Sequence, residues 1–181
     1  QQTITVTVTD VDEYDVTAPV DTNGAANQVA ENAAHGTTVG ITGFASDADA
    51  TNNTVIYSLF NNDGGRFTIH ATTGVVTVAG VINRETDGAI RSITIRATSA
   101  DGSTNDTVFN IAILDTNEFA VTAPVDVDAA TNQVAENATI GTTVGITASA
   151  SDADATNNTV TYALFNDDGG RFSIDATTGV V

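Results

Sequence analysis

The octapeptide Ser46–Asn53, Ser-Asp-Ala-Asp-Ala-Thr-Asn-Asn, returns unchanged at Ser151–Asn158. The offset is 152 − 47 = 105 residues. Around it, residues 11–76 align with 116–181 without a gap, and most positions are identical. Upstream, Ile4, Val6, Val8 and Asp10 fall on Phe109, Ile111, Ile113 and Asp115. A repeat of this length, with turn signals about every dozen residues, reads as a β-sandwich. The chain then divides into the last strand of one repeat (1–10), one complete repeat (11–115) and the first two-thirds of another (116–181).

The strands follow from alternation. Ile4, Val6 and Val8 alternate with Thr, which gives one apolar and one wet face. Ala18-Pro19-Val20 reads as an edge or strand entry, because Pro cannot donate to a ladder. Val39 and Ile41 mark the next strand, then Val55, Tyr57 and Leu59. Asn62-Asp63-Gly64-Gly65 is a turn signal. Phe67 and Ile69 are expected to pair across the Ala71–Gly74 turn with Val76 and Val78. Ile93, Ile95 and Ala97 form another strand, and Asp101-Gly102-Ser103 turns the chain into Phe109, Ile111 and Ile113. That makes about seven strands. No stretch of useful length has a helical period.

Composition narrows the function classes. The 181 residues hold 23 acids against five Arg and no Lys, a net charge of −18. Such a surface disfavours nucleic acid and anionic membrane as partners. Its self-repulsion makes bound divalent cations a natural remedy. Apolar content of 41% is enough for a core, and the Val, Ile and Thr bias favours strands. There is no Cys, so metal is the obvious staple for a secreted β-domain without disulfides. No apolar run approaches the length of a membrane span. No signal peptide is present, and the chain reads as a piece of something longer.

The acids are ordered rather than scattered. Asp47 and Asp49 recur as Asp152 and Asp154. Two carboxylates two residues apart, followed by short amides, offer hard oxygen ligands that repel one another unless a cation sits among them. An all-oxygen set suits Ca²⁺ rather than zinc or copper, and Mg²⁺ demands tighter octahedral geometry.

These motifs together resemble a cadherin domain, specifically the bacterial cadherin-like repeats of large secreted surface adhesins. Val29-Ala30-Glu31-Asn32 with Gly36-Thr37 resembles the family's opening. Asp47-Ala48-Asp49 resembles its Asp-x-Asp, and Phe67-x-Ile with Thr73-Gly74-Val75-Val76 its hairpin. Asn83-Arg84-Glu85 resembles Asp-Arg-Glu, and Ala97 with Asp101-Gly102 the later turn. Asp115-Thr116-Asn117-Glu118 resembles the linker. The resemblance implies tandem seven-stranded Greek-key sandwiches of cadherin or immunoglobulin-like type, joined end to end by calcium. It implies that Glu31, Glu85, Asp115, Asn117, Glu118, Asp152 and Asp154 enclose up to three ions at one junction. Asp10, Asp12, Glu13, Asp47, Asp49 and Asp101 would serve the N-terminal junction, and Glu136 a third. Three departures from the family pattern (Asn83 for Asp, Glu118 for Asp, Phe119 for Asn) suggest fewer ions near Asp115.

The other conspicuous residues carry less. His35 aligns with Ile140 and His70 with Asp175, so neither recurs and neither is expected to bind metal or catalyse. Arg66 and Arg171 recur after Gly-Gly, which suits an ion pair or a bond to the turn. Tyr57 and Tyr162 fall at inward positions. The Asn-x-Thr sequons at Asn52, Asn105, Asn137 and Asn157 are usually chance matches in a bacterial protein. No serine has a plausible triad, and the acid pairs lie in loops rather than flanking a groove as glycoside hydrolysis requires. The expected function is therefore non-enzymatic: a stiff, extracellular, cell-surface extender that presents a distal binding domain in cell adhesion, as in biofilms. Its partners would be the adjacent repeats of its own chain, with no nucleic acid and no direct membrane insertion. The alternatives are repeats that themselves bind a partner, homophilically or as polysaccharide, a subunit of an extracellular filament, or the non-catalytic part of a larger enzyme.

Overall fold

A computed structural model describes residues 1–181. The chain forms two compact units, Gln1–Thr116 and Asn117–Val181. In the first unit, β1 (Val20–Asp21), β3 (Thr38–Phe44), β6 (Val75–Val78) and β5 (Phe67–Ile69) form one sheet in the order β1-β3-β6-β5. The second sheet has the order β2-β8-β7-β4, from β2 (Gln28–Ala30), β4 (Val55–Asn61), β7 (Ile90–Ser99) and β8 (Thr104–Leu114). Both inner faces are apolar every second residue, as a half-buried strand requires. Val39, Ile41, Phe67, Val76 and Val78 from one sheet meet Ile93, Ile95, Ala97, Ile111 and Ile113 from the other. The expected hairpin has the expected register, with Phe67 opposite Val78 and Ile69 opposite Val76.

Three expectations change in detail. The opening strand is split, so the unit has eight strand segments: β1 runs antiparallel to β3, while β2 crosses to the other sheet and runs parallel to β8. The crossing segment holds Asn23 and Gly24, and its turn is held by the Ala25 N–H donating to Asn23 Oδ1 at 3.0 Å. Residues 1–10 form no ladder, and Ile4, Val6 and Val8 are 80–90% exposed; alternation specifies a face, but a strand needs a neighbour to bond. One helical turn, α1 (Arg84–Asp87), also exists. It is too short to show a period, and a cap sets it: Asn83 Oδ1 accepts from the Thr86 N–H at 2.8 Å. Asn83, in the family's Asp position, thus serves as a cap.

Both arginines that follow Gly-Gly bind locally. Arg66 forms a two-pronged pair with Asp87, its Nε donating at 3.0 Å, which holds the Asp87 carboxyl below its usual range. Arg171 donates to the Asp168 carbonyl at 2.8 Å. Tyr57 is buried, and its hydroxyl accepts from the Ala45 N–H at 3.0 Å. In the second unit the Tyr162 hydroxyl accepts from Ala150 in the same way.

The second unit repeats the first unit's backbone bonds at the 105-residue offset. Thr17 N–H to Ser46 and Tyr57 N–H to Ala71 become Thr122 to Ser151 and Tyr162 to Ala176. Its regular ladder is limited to β9 (Val125–Asp126) with β10 (Ala148–Ser149), plus a bridge between Thr147 and Val180.

His70 has a turn role that the sequence concealed. Its Nδ1 accepts from the Thr72 and Thr73 N–H groups at 3.3 and 3.2 Å. Asp175 takes the equivalent bonds at 2.9 and 2.8 Å, and the Thr178 and Thr177 N–H groups hold its carboxyl below the usual range. A carboxylate makes the stronger, charge-assisted version of this turn. His70→Asp is expected to stabilise the first unit by about 1 kcal/mol in urea unfolding at neutral pH.

Candidate metal centres

At one end of the first unit, Asp12, Asp49 and Asp101 bring carboxylate oxygens within 4.8 Å of one another. Three different segments deliver them: the stretch before β1, the β3–β4 loop and the β7–β8 turn. Asp49 is the buried member, 4% exposed. Its two oxygens accept from the backbone N–H groups of Glu13 at 3.1 Å and Tyr14 at 3.3 Å. The Asp-x-Asp pair is therefore also an anchor for the incoming chain. Asp47 Oδ1 accepts from the Asp49 N–H at 3.0 Å, while its Oδ2 is buried without a hydrogen-bond partner. Asp10 reaches the same loop and accepts from the Thr51 N–H and hydroxyl at 3.0 and 2.7 Å. Asp101 Oδ1 accepts from Ser103 N–H at 2.6 Å and so shapes its own turn. Glu13 contributes its main chain here, and its side chain is exposed.

Crowding shows in Asp12. Desolvation first, then a shared hydrogen bond with Asp49 and the charges of Asp101, Asp49 and Asp47, push its carboxyl up to about 6. Between the ordinary carboxylate range and about pH 6, folded metal-free protein keeps a proton that unfolded chain has released. Stability of the metal-free state therefore falls as pH rises through that window. A cation would have to displace the proton. Calcium binding at this cluster is expected to weaken below about pH 6 and to release a proton, seen as buffer-dependent heat in calorimetry near pH 5. Asp12→Asn should remove that buffer dependence.

The second cluster joins Glu31, Glu85 and Asp115, again with oxygens within 4.8 Å. It lies at the far end of β8, whose 11 residues span about 35 Å. Glu31 is 2% exposed. It sits just past β2, where its own N–H donates to Leu114 at 2.9 Å. Its carboxylate accepts from the Arg84 N–H at 2.6 Å and the Thr116 N–H at 2.8 Å. Arg84 lies 3.9 Å from Asp115 and bonds the Ile113 carbonyl. Its single cation does not balance three acids.

In the second unit the Asp-x-Asp geometry recurs. Asp154 is 2% exposed, and its Oδ1 accepts from the Glu118 and Phe119 N–H groups at 3.0 and 3.3 Å. Asp152 accepts from the Asp154 N–H at 3.1 Å. Asp154 Oδ2 is buried without a hydrogen-bond partner, and Asn117 is exposed. Buried carboxylate oxygens with no donor are costly unless a cation meets them. The all-oxygen donor sets and these two orphaned atoms fit Ca²⁺.

Residues 26–114 match the sequence profile of the cadherin domain. Those residues belong to the cadherin domain family. Over 139 residues the chain is 31% identical to protocadherin Fat 2 of Rattus norvegicus, and over 141 residues 33% identical to protocadherin Fat 4 of Homo sapiens. These alignments cover 76% and 75% of the chain but only 3% of each relative. Among solved structures, mouse Cadherin-23 EC22-24 superposes with a TM-score of 0.68 at 27% identity, covering 95% of this chain and 54% of that one. Protocadherin gammaB7 EC3-6, described as a cis-dimer, gives 0.77 at 25% identity, covering 99% and 45%. The all-β sandwich expected from the sequence is thus a cadherin fold. Cadherin domains are extracellular adhesion modules that generally bind Ca²⁺, and the acidic clusters fit that habit. No helix of the chain is long and apolar enough to cross a membrane.

Proposed function

We propose that the chain is a calcium-rigidified extender segment of a long extracellular adhesin of bacterial type. One observation carries this reading: the cadherin domain bears a three-carboxylate cluster at each end of β8, one built on Asp49 and one on Glu31. Glu31, Glu85 and Asp115, with Asn117, Glu118, Asp152 and Asp154, would supply the ligands of one junction. Asp10, Asp12, Glu13, Asp47, Asp49 and Asp101 would supply half of another. Bound calcium supplies a compact positive charge that several carboxylates share. Without that charge, repulsion among the acids favours bent, mobile junctions. The near-identity of the repeats suits a spacer, since a specific recognition surface needs only one copy.

The test is calcium titration by calorimetry with parallel melts and small-angle scattering, before and after chelation. Modules of this kind bind at about 10⁻⁴–10⁻³ M, and a hundredfold excess stabilises by roughly 2.7 kcal/mol per independent site. Asp152→Ala/Asp154→Ala should lose much of the heat and of the stiffening. Calcium that changes neither heat, melting point nor scattering would rule the extender out.

A second reading has an observation of its own. On the outer face of β4, β7 and β8, Ile56, Phe60 and Val108 are each more than half exposed. Arg96 lies 4.2 Å over the Phe60 ring and pairs with Asp106 at 2.7–2.8 Å. This charge-balanced apolar strip favours direct contact between repeats. Concentration-dependent sedimentation of Phe60→Ser against the parent would decide it.

A further inference from the structure

Asn23-Gly24 is the chain's one Asn-Gly pair. It lies in the exposed segment that carries the chain from β1 in one sheet to β2 in the other. Asn23 N–H donates to Asp21 Oδ1 at 2.9 Å, and Asn23 Oδ1 accepts from the Ala25 N–H at 3.0 Å. The second bond folds the side-chain amide back over the Gly24 peptide and polarises its carbonyl. The Gly24 nitrogen donates to no protein acceptor. A Cβ on Gly24 would meet nothing within 4 Å, so nothing packs against that position.

From this geometry we infer that Asn23 is a self-modification site that deamidates through a succinimide. The Gly24 backbone nitrogen, losing its proton to solvent, bonds to Asn23 Cγ. The Cγ–Nδ2 bond breaks, and the departing nitrogen takes up a proton and leaves as ammonia. Water then opens the five-membered ring at either carbonyl, giving aspartate or isoaspartate at position 23. No oxidant, reductant or enzyme is needed.

The second unit contains the aspartate product already. Asp128 stands at the equivalent position, accepts from the Ala130 N–H at 2.9 Å and donates its own N–H to Asp126 at 3.0 Å. The aspartate form therefore keeps the turn and adds one negative charge. The isoaspartate form threads the main chain through the old side chain and inserts a methylene between β1 and β2. Competing sites are less apt. Asn52 and Asn157 precede asparagine rather than glycine. The Asp63-Gly64 and Asp87-Gly88 carboxylates are held by Arg91 and Arg66.

The intact chain would be aged in warm, mildly alkaline buffer. Peptide mass mapping reads amide loss at each Asn, and an isoaspartate-specific methyltransferase with labelled methyl donor reads the rearranged product. Amide loss at Asn23 should run severalfold ahead of Asn52 and Asn157, with both products formed. Gly24→Ala should slow it severalfold; that variant is tolerated, because Ala129 fills the equivalent position in the second unit. Asn23→Asp should fold like the parent and accept no methyl groups at the outset. Amide loss at Asn23 no faster than at the other two sites, unaffected by Gly24→Ala, or giving aspartate alone would overturn the inference.

Discussion

Replacing Glu31 with alanine is expected to cost the first unit about 3 kcal/mol in metal-free buffer. The side chain is almost fully buried, and its two oxygens hold the Arg84 and Thr116 N–H groups at 2.6 and 2.8 Å. Bonds to a charged acceptor contribute about 1.5–3 kcal/mol each, and each buried donor left unpaired costs about 1–3 kcal/mol. Relief of repulsion from Glu85 and Asp115, which share the cluster, offsets part of the loss. Glu31→Gln separates the two roles. It keeps one acceptor and the shape, so its metal-free cost should be nearer 1 kcal/mol. Its calcium affinity at this cluster should still fall at least about tenfold, because a shared ligand loses its charge. Urea unfolding with and without calcium reads both. If Glu31→Gln binds calcium as the parent does, the carboxylate is an anchor for Arg84 and Thr116 alone.

Gly74→Ala should be as damaging, for a reason unrelated to charge. Gly74 has φ +68°, and a Cβ there would lie 2.0 Å from the Gly43 carbonyl oxygen. The backbones approach because Gly43 N–H donates to the Gly74 carbonyl at 2.8 Å, tying the β5–β6 turn to β3. The left-handed conformation alone costs a non-glycine residue about 1–2 kcal/mol. Parting β3 from the turn should bring the total to about 4 kcal/mol. Gly64→Ala is the control: its φ is +64°, but its nearest neighbour is the flexible Arg66 Nη1 at 3.3 Å. It should cost only about 1 kcal/mol. Thermal melts that place both variants together would rule out the close approach as the cause. Gly179 repeats the arrangement in the second unit, with φ +72° and 2.2 Å to the Ala148 carbonyl.

Much of this protein was written in local sequence. Alternating Val and Ile placed β3 to β8, since a period of two can bury only one face of a strand. Thr73-Gly74 placed the hairpin turn and its register. The paired acids at Asp47/Asp49 and Asp152/Asp154 pointed to oxygen-only ligation. Each of these signals is a property of near neighbours along the chain.

Only the tertiary structure decided the rest, because it depends on partners far apart in sequence. The split of the opening strand was invisible, since β1 and β2 are defined by the strands they bond rather than by a pattern of their own. Residues 1–10 alternate as well as any strand, yet form no ladder. Asp49 and Glu31 were legible as candidate ligands but not as anchors, for their bonds reach 36 and 85 residues along the chain. Asn83 looked like a weakened acid and proved to be a helix cap. His70 looked incidental and proved to stand in for the carboxylate of Asp175, because a neutral imidazole nitrogen and a carboxylate oxygen can accept the same two backbone protons.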